Sequence, residues 1–156
     1  MTISVNNMLI KMIKSIDIFQ DIPDDKIIEL SKSFNLVFHP SGKRIITKGT
    51  KLDKIYILKN GTLEVRKQKG VGNNVLGEIK VGEIFGEMSY IKNQEAMANV
   101  ITTSEANIRE IDVEDFTVFL KKYPNIMDKV YVTMKERDKQ NSYQKTDEDI
   151  YTNIIL

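Results

Sequence analysis

Gly82-Glu83-Ile84-Phe85-Gly86-Glu87-Met88-Ser89-Tyr90-Ile91, with Ala96-Met97-Ala98-Asn99-Val100 close behind, is the stretch from which the fold of this chain is read. Two glycines let the backbone turn with positive φ or approach a ligand, and Glu87 supplies a carboxylate that can accept from hydroxyls. Amides opening a short helical turn from Met88 are placed to face an anion. Glycine spacing of this kind is a weak signal alone. Its weight comes from what surrounds it.

From Leu36 to Ile111 the chain is a series of short apolar runs punctuated by glycine. The runs are Val37-Phe38, Arg44-Ile45-Ile46, Ile55-Tyr56-Ile57-Leu58, Thr62-Leu63-Glu64-Val65, Val75-Leu76-Gly77-Glu78-Ile79, Ala98 to Thr102 and Asn107 to Ile111. Ser41-Gly42, Lys48-Gly49, Asn60-Gly61 and Gly72-Asn73 stand between them as turns, and Asn60-Gly61 reads as a hairpin. Many short strands of this kind predict an antiparallel barrel or roll. Arg66, Lys67 and Lys69 lie beside a hairpin loop expected over Gly70 to Asn74 and read as a solvated tip.

Helices flank this β unit. Met8, Leu9, Met12, Ile13 and Ile16 recur at helical spacing with Lys11 and Lys14 between them. Asp21-Ile22-Pro23-Asp24-Asp25 starts a second helix carrying Ile27, Ile28, Leu30 and Phe34, with acids at its positive end. After the strands, Asp112-Val113-Glu114-Asp115 opens a helix with Phe116, Phe119 and Leu120 on one face, ended by Tyr123-Pro124. A last helix from Asn125 bears Ile126, Met127, Val130, Tyr131 and Met134, beyond which Lys135 to Asp149 is almost wholly polar. The expected organisation is N-terminal helices over 1–35, a β-roll over 36–111, C-terminal helices over 112–143 and a polar tail over 144–156. The fold class is α+β, mainly β.

Composition narrows the function classes. A chain of 156 residues fits one domain, which at this length buries about two thirds of its unfolded surface. Lys and Arg total 23 against 22 Asp and Glu, a near-neutral balance that points to no nucleic-acid partner. Cysteine is absent, which removes disulfides, thiolate metal sites and cysteine nucleophiles and favours a cytoplasmic setting. The apolar residues from Met8 to Ile18 are interrupted by Lys11, Lys14 and Asp17, so neither a membrane span nor a signal segment is expected. The single histidine, His39, has no metal-type residue near it in sequence and reads as structural or exposed. With no Walker loop and no βαβ dinucleotide fingerprint, neither catalytic nor metal-binding residues are expected, and no cofactor.

Two helices, a glycine-punctuated β unit with a Gly-Glu loop, and two further helices resemble the cyclic-nucleotide-binding domain, the β-roll of kinase regulatory subunits, gated channels and catabolite-activator-type regulators. The resemblance covers roughly Ile16 to Met134. Gly42, Gly49 and Gly61 match the family's turn glycines, the run from Ile55 to Val65 resembles its most recognisable hairpin, and Gly82 to Glu87 resemble the entry to its phosphate-binding cassette. The resemblance implies cyclic AMP or cyclic GMP as ligand. It places Gly86, Glu87, Met88, Ser89, Ala96, Met97 and Ala98 in the cassette, with Glu87 accepting from the ribose hydroxyl and the amides of the cassette helix on the phosphate.

The chain departs from the family at one position that matters: the arginine that pairs with the exocyclic phosphate oxygens is here Ala96. A hydrogen bond to a charged group contributes about 1.5 to 3 kcal/mol, so its loss weakens binding roughly tenfold to a hundredfold. Glu95 next to it adds a like charge, Met97-Ala98 brings no hydroxyl, and Lys92 is a candidate compensating cation or a solvated turn residue. Glu87 reads equally as a ligand contact or as a carboxylate holding a turn. Tyr131, Met134 and Arg137 are where the family precedent puts a lid over the base, and they read also as packing or a dimer seam.

Two functional expectations follow. One is a stand-alone ligand-sensing regulatory module that shifts its C-terminal helices toward a protein partner when nucleotide binds. The other is a degenerate roll that has lost the nucleotide and serves as a protein-interaction or dimerisation domain, using its helices to dock a partner or to homodimerise through the C-terminal helix. After Met134 about two dozen mostly polar residues remain, too few for a helix-turn-helix, so a complete activator-type transcription factor is not expected.

Overall fold

A computed structural model describes residues 9–16, 19–69 and 72–141. Helix α1 (9–14) and α2 (Asp24–Ser31) precede β1 (Asn35–His39), β2 (Arg44–Ile46), β3 (Lys54–Asn60), β4 (Leu63–Lys69), β5 (Gly72–Ile79) and β6 (Ile84–Phe85). Then come α3 (Glu87–Ile91), β7 (Asn99–Thr102), β8 (Ala106–Asp112), α4 (Val113–Lys122) and α5 (Pro124–Asn141). The strands form two four-stranded sheets, β1-β8-β3-β6 and β2-β7-β4-β5, in which every paired neighbour is antiparallel. This is the expected α+β, mainly β, roll.

The position of β3 in the fold follows from its composition. Ile55, Tyr56, Ile57 and Leu58 are all buried, because both faces of the strand are covered. Tyr56 and Leu58 join Ile46, Leu63, Val65, Phe85, Ala96, Ala98, Val100 and Ile108 inside the roll. Ile55 and Ile57 point the other way, into a second core shared with Ile13, Phe19, Ile27, Leu30, Met88, Phe116, Leu120 and Val130 from the helices. An unbroken apolar run is what a two-faced strand needs, since alternation would bury a polar side chain on one side. The helices at both ends of the chain therefore lie on one outer face of the roll. Ile28, counted at sequence level on the apolar stripe of α2, is half-exposed, and the buried face runs through Ile27 and Leu30.

Two turn readings are corrected. Asn60-Gly61 does not close a hairpin between paired strands: β3 bonds β8 and β6, whereas β4 bonds β5 and β7. The turn carries the chain from one sheet to the other. Gly61 has φ +101°, and a Cβ there would lie 2.5 Å from the Glu105 carbonyl oxygen, so the crossing of two backbones demands glycine. The second correction concerns the expected 70–74 loop, where Gly72, Asn73 and Asn74 instead pair with Lys69, Gln68 and Lys67. Ladder pairing against β4 overrides the weak strand preference of these residues.

Candidate functional site

The site is built where β6 runs into α3. Gly86 stands at the N-cap of α3 with φ +91° and ψ −14°, a left-handed conformation that reverses the chain so that Glu87 begins the helix. A Cβ at Gly86 would come 3.3 Å from Leu52 Cδ1, a contact that a small shift of that side chain relieves, and 3.4 Å from the Lys54 carbonyl oxygen, which is ordinary van der Waals contact. The backbone conformation is the larger obstacle. Gly86→Ala should cost about 1–2 kcal/mol from the left-handed φ, measured as a lower urea midpoint with an unchanged slope.

Glu87 is completely buried, and neither carboxyl oxygen has a hydrogen-bond partner. Burial holds its pKa well above the ordinary 4.5, partly offset by its own nearby backbone amide, which does not reach hydrogen-bonding geometry. Met88 and Ser89 are also buried, Met88 in the core shared with the helices. At the other end of the cassette Ala96 and Ala98 are buried inside the roll and Met97 packs against it. Ala96 is fixed by two backbone bonds, its N–H donating to the Thr50 carbonyl at 2.9 Å and its carbonyl accepting from Gly49 N–H at 2.8 Å. The segment 48–52 thus contacts the cassette at both ends, through Leu52 at Gly86 and through Gly49 and Thr50 at Ala96.

Two cavities flank this arrangement. One of about 280 Å³ lies beside the cassette helix, lined by Lys51, Leu52, Ser89, Tyr90, Gln94 and Tyr131 among others. It brings Tyr131, a sequence-level lid candidate on α5, to the same space as Ser89. The side chains of the other two candidates, Met134 and Arg137, lie outside the described residues, although both positions belong to α5. The second cavity, about 310 Å³, is lined by Lys48, Gly49, Lys67, Glu95, Ala96 and Met97. Lys92 sits at the C-cap of α3, its amide donating to the Met88 carbonyl.

A polar cluster not noticed in the sequence lies along the neighbouring strands. His39 Nε2 is 2.6 Å from Glu110 Oε2, and Lys54 Nζ is 3.3 Å from Glu110 Oε1, with Glu110 buried. Tyr56, stacked on Phe85 with ring centroids 4.9 Å apart, has its phenol pushed well above its ordinary value by burial, then by the Glu110 and Asp53 charges. Positions 106, 108 and 110 share a strand face, so Glu110 continues the inward row of Ala106 and Ile108. That period-two row was the available signal. His39 is accordingly structural.

The cassette is wired to the outer helices through Tyr90. Its hydroxyl is hydrogen-bonded to Thr117 Oγ1 of α4, and its ring meets Phe116 edge-on at 5.5 Å. Phe116 in turn meets Phe19 at 6.1 Å, and Thr117 Oγ1 donates to the Val113 carbonyl. Tyr90→Phe keeps the ring and removes the bond, which should lower stability by about 1 kcal/mol in urea unfolding.

The cross-sheet turn at Gly61, the Gly86-Glu87 bend and the two-faced β3 define a β-roll with a glycine-reversed bend between strand and helix. The cyclic nucleotide-binding domain family matches residues 36–123, and the chain belongs to that family. It is 26% identical over 124 residues to a cAMP-dependent protein kinase regulatory subunit of Mycosarcoma maydis, covering 76% of this chain and 24% of that protein. It is 29% identical over 112 residues to the cGMP-dependent 3',5'-cGMP phosphodiesterase A of Dictyostelium discoideum, covering 69% of this chain and 12% of that protein. The chain therefore spans a quarter or less of the length of these two relatives. Among solved structures, the regulatory subunit of a cAMP-independent protein kinase A from Trypanosoma cruzi, bound to guanosine, superposes with a TM-score of 0.70 at 18% identity. That match covers 97% of this chain and 49% of the other. Among the described residues no helix is long and apolar enough to cross a membrane.

Proposed function

We propose that this chain is a regulatory, non-catalytic module that senses a small ribose-bearing ligand, of the cyclic AMP or cyclic GMP kind, in the cassette of its roll. The observation that carries this reading is Glu87, fully buried at the start of α3 with both carboxyl oxygens unpartnered. A buried polar group without a partner is destabilising by about 1–3 kcal/mol, and a ligand hydroxyl is the partner the cassette would supply. Cyclic nucleotide binding is weakened by Ala96, which offers a buried methyl where an arginine would pair with phosphate. The Trypanosoma cruzi neighbour holds guanosine, so in that protein the ligand class extends to a nucleoside.

Entry of the ligand displaces the segment 48–52 from Gly86 and Ala96, which it touches at both ends of the cassette. Movement of α3 then reaches α4 through Tyr90 and its contacts with Thr117 and Phe116. A protein partner would read the new position of α4 and α5, provided the ligand favours one helix arrangement over the other. Calorimetric titration with cyclic AMP and cyclic GMP, paired with thermal melts, tests the reading: heat and a concentration-dependent rise in melting temperature are expected. The second reading, a roll that has lost its ligand and docks a partner or a second copy, is favoured by Val118, Tyr131 and Val132 exposed on α4 and α5. Silence toward every ribose-bearing ligand would favour it.

A further inference from the structure

We propose that the roll prefers an uncharged ribonucleoside, held by its vicinal 2'- and 3'-hydroxyls on Glu87, over a nucleoside cyclic phosphate. The inference rests on the reading that the cassette takes a ribose-bearing ligand, and deepens it by naming the class. Two independent features of the site carry it.

The first is the count of hydroxyls. Both oxygens of Glu87 lack a partner, and a carboxyl group has room for two hydrogen bonds side by side. A nucleoside offers two adjacent free hydroxyls at matching spacing. A 3',5'-cyclic phosphate has the 3'-oxygen esterified and offers one, leaving a carboxyl oxygen buried and unpaired even in the complex. Selectivity built on a buried polar group left unpaired is steep, because the penalty falls on the wrong ligand in full.

The second is the charge at the far end of the cassette. Ala96 is 4% exposed and packs with Phe85, Ala98 and Val100, an apolar wall. A phosphate brought against that wall loses its water and gains no buried cation, while a neutral nucleoside loses nothing of the kind. Of the charged groups lining the adjoining cavity, Lys48 and Glu95 are both exposed and opposite in sign, and Lys67 is half-buried.

Calorimetry on the full chain decides the matter with adenosine, guanosine, their 2'-deoxy and 3'-deoxy forms, cyclic AMP and cyclic GMP. The expected result is that the better ribonucleoside binds at least tenfold tighter than its own cyclic phosphate, and that removing either hydroxyl weakens it about tenfold. Cyclic phosphate binding as tightly as the nucleoside, or deoxy forms binding as well as the parent, would overturn this inference and leave nucleotide sensing intact. Silence toward all eight, in the wild type and in an Ala96→Arg variant shown to be folded, would remove the sensing reading along with it.

Discussion

Glu87→Gln should make the unliganded protein more stable at pH 7 by about 1–3 kcal/mol, because both side chains leave polar atoms unpartnered but only the acid must in addition take up a proton or desolvate a charge. Glutamine matches the shape of the protonated carboxyl and carries no charge to desolvate. In urea, with a slope of about 1–3 kcal/mol/M, the midpoint should rise by roughly 1 M. The sign of the pH dependence follows from the direction of the shift. Burial raises the folded-state pKa of Glu87 above its ordinary value, so the native state binds the proton more tightly than the unfolded chain. Stability from this group is then complete below about pH 4.5 and declines as pH climbs toward the raised value. The difference between wild type and variant should therefore be small near pH 4 and widen toward neutrality. A variant less stable than wild type at pH 7 would mean that the carboxylate is ionised and partnered. The same substitution should weaken ligand binding, because glutamine cannot ionise and so cannot give the two charge-assisted bonds that a carboxylate accepts from a pair of ligand hydroxyls. Gain of stability with loss of affinity is the mark of a residue kept for its ligand.

The fold was legible because its signals are backbone signals. Gly61 and Gly86 adopt φ of +101° and +91°, conformations that few other residues share, so their spacing survives in the sequence. The apolar run from Ile55 to Leu58 likewise marks a strand covered on both faces. What the sequence hid was pairing between distant strands. Nothing in Asn60-Gly61 says whether the strands on either side bond to each other, and the turn in fact links different sheets. Nor does local texture place His39 against Glu110, 71 positions away, because that contact depends on β1 and β8 lying side by side. The site was legible in its residues and not in its state. Glu87 and Ala96 stand out at sequence level, but that Glu87 is sealed without a partner is a property of packing alone.

Ala96→Arg should raise affinity for cyclic AMP and cyclic GMP by about tenfold to a hundredfold, the effect of one charge-assisted, bidentate contact to phosphate. The backbone that would carry the guanidinium is already fixed, since Ala96 is bonded on both sides to the segment at Gly49 and Thr50. The cavity of about 310 Å³ that Ala96 lines gives the longer side chain somewhere to go. Without ligand, an arginine rooted in an apolar wall has donors without a partner, which costs about 1–3 kcal/mol. The variant should then melt below wild type when empty and regain the difference when cyclic nucleotide is added. Its affinity should fall faster with salt than that of wild type, because the new contact is between charges. Affinity for an uncharged nucleoside should stay within about threefold, a change of less than 1 kcal/mol, since that ligand brings no phosphate for the arginine to meet. Folded protein with unchanged cyclic nucleotide affinity would show that position 96 does not face the phosphate. A rise for nucleoside and cyclic nucleotide alike would show that arginine acts by holding the segment 48–52 open, with charge pairing playing no part.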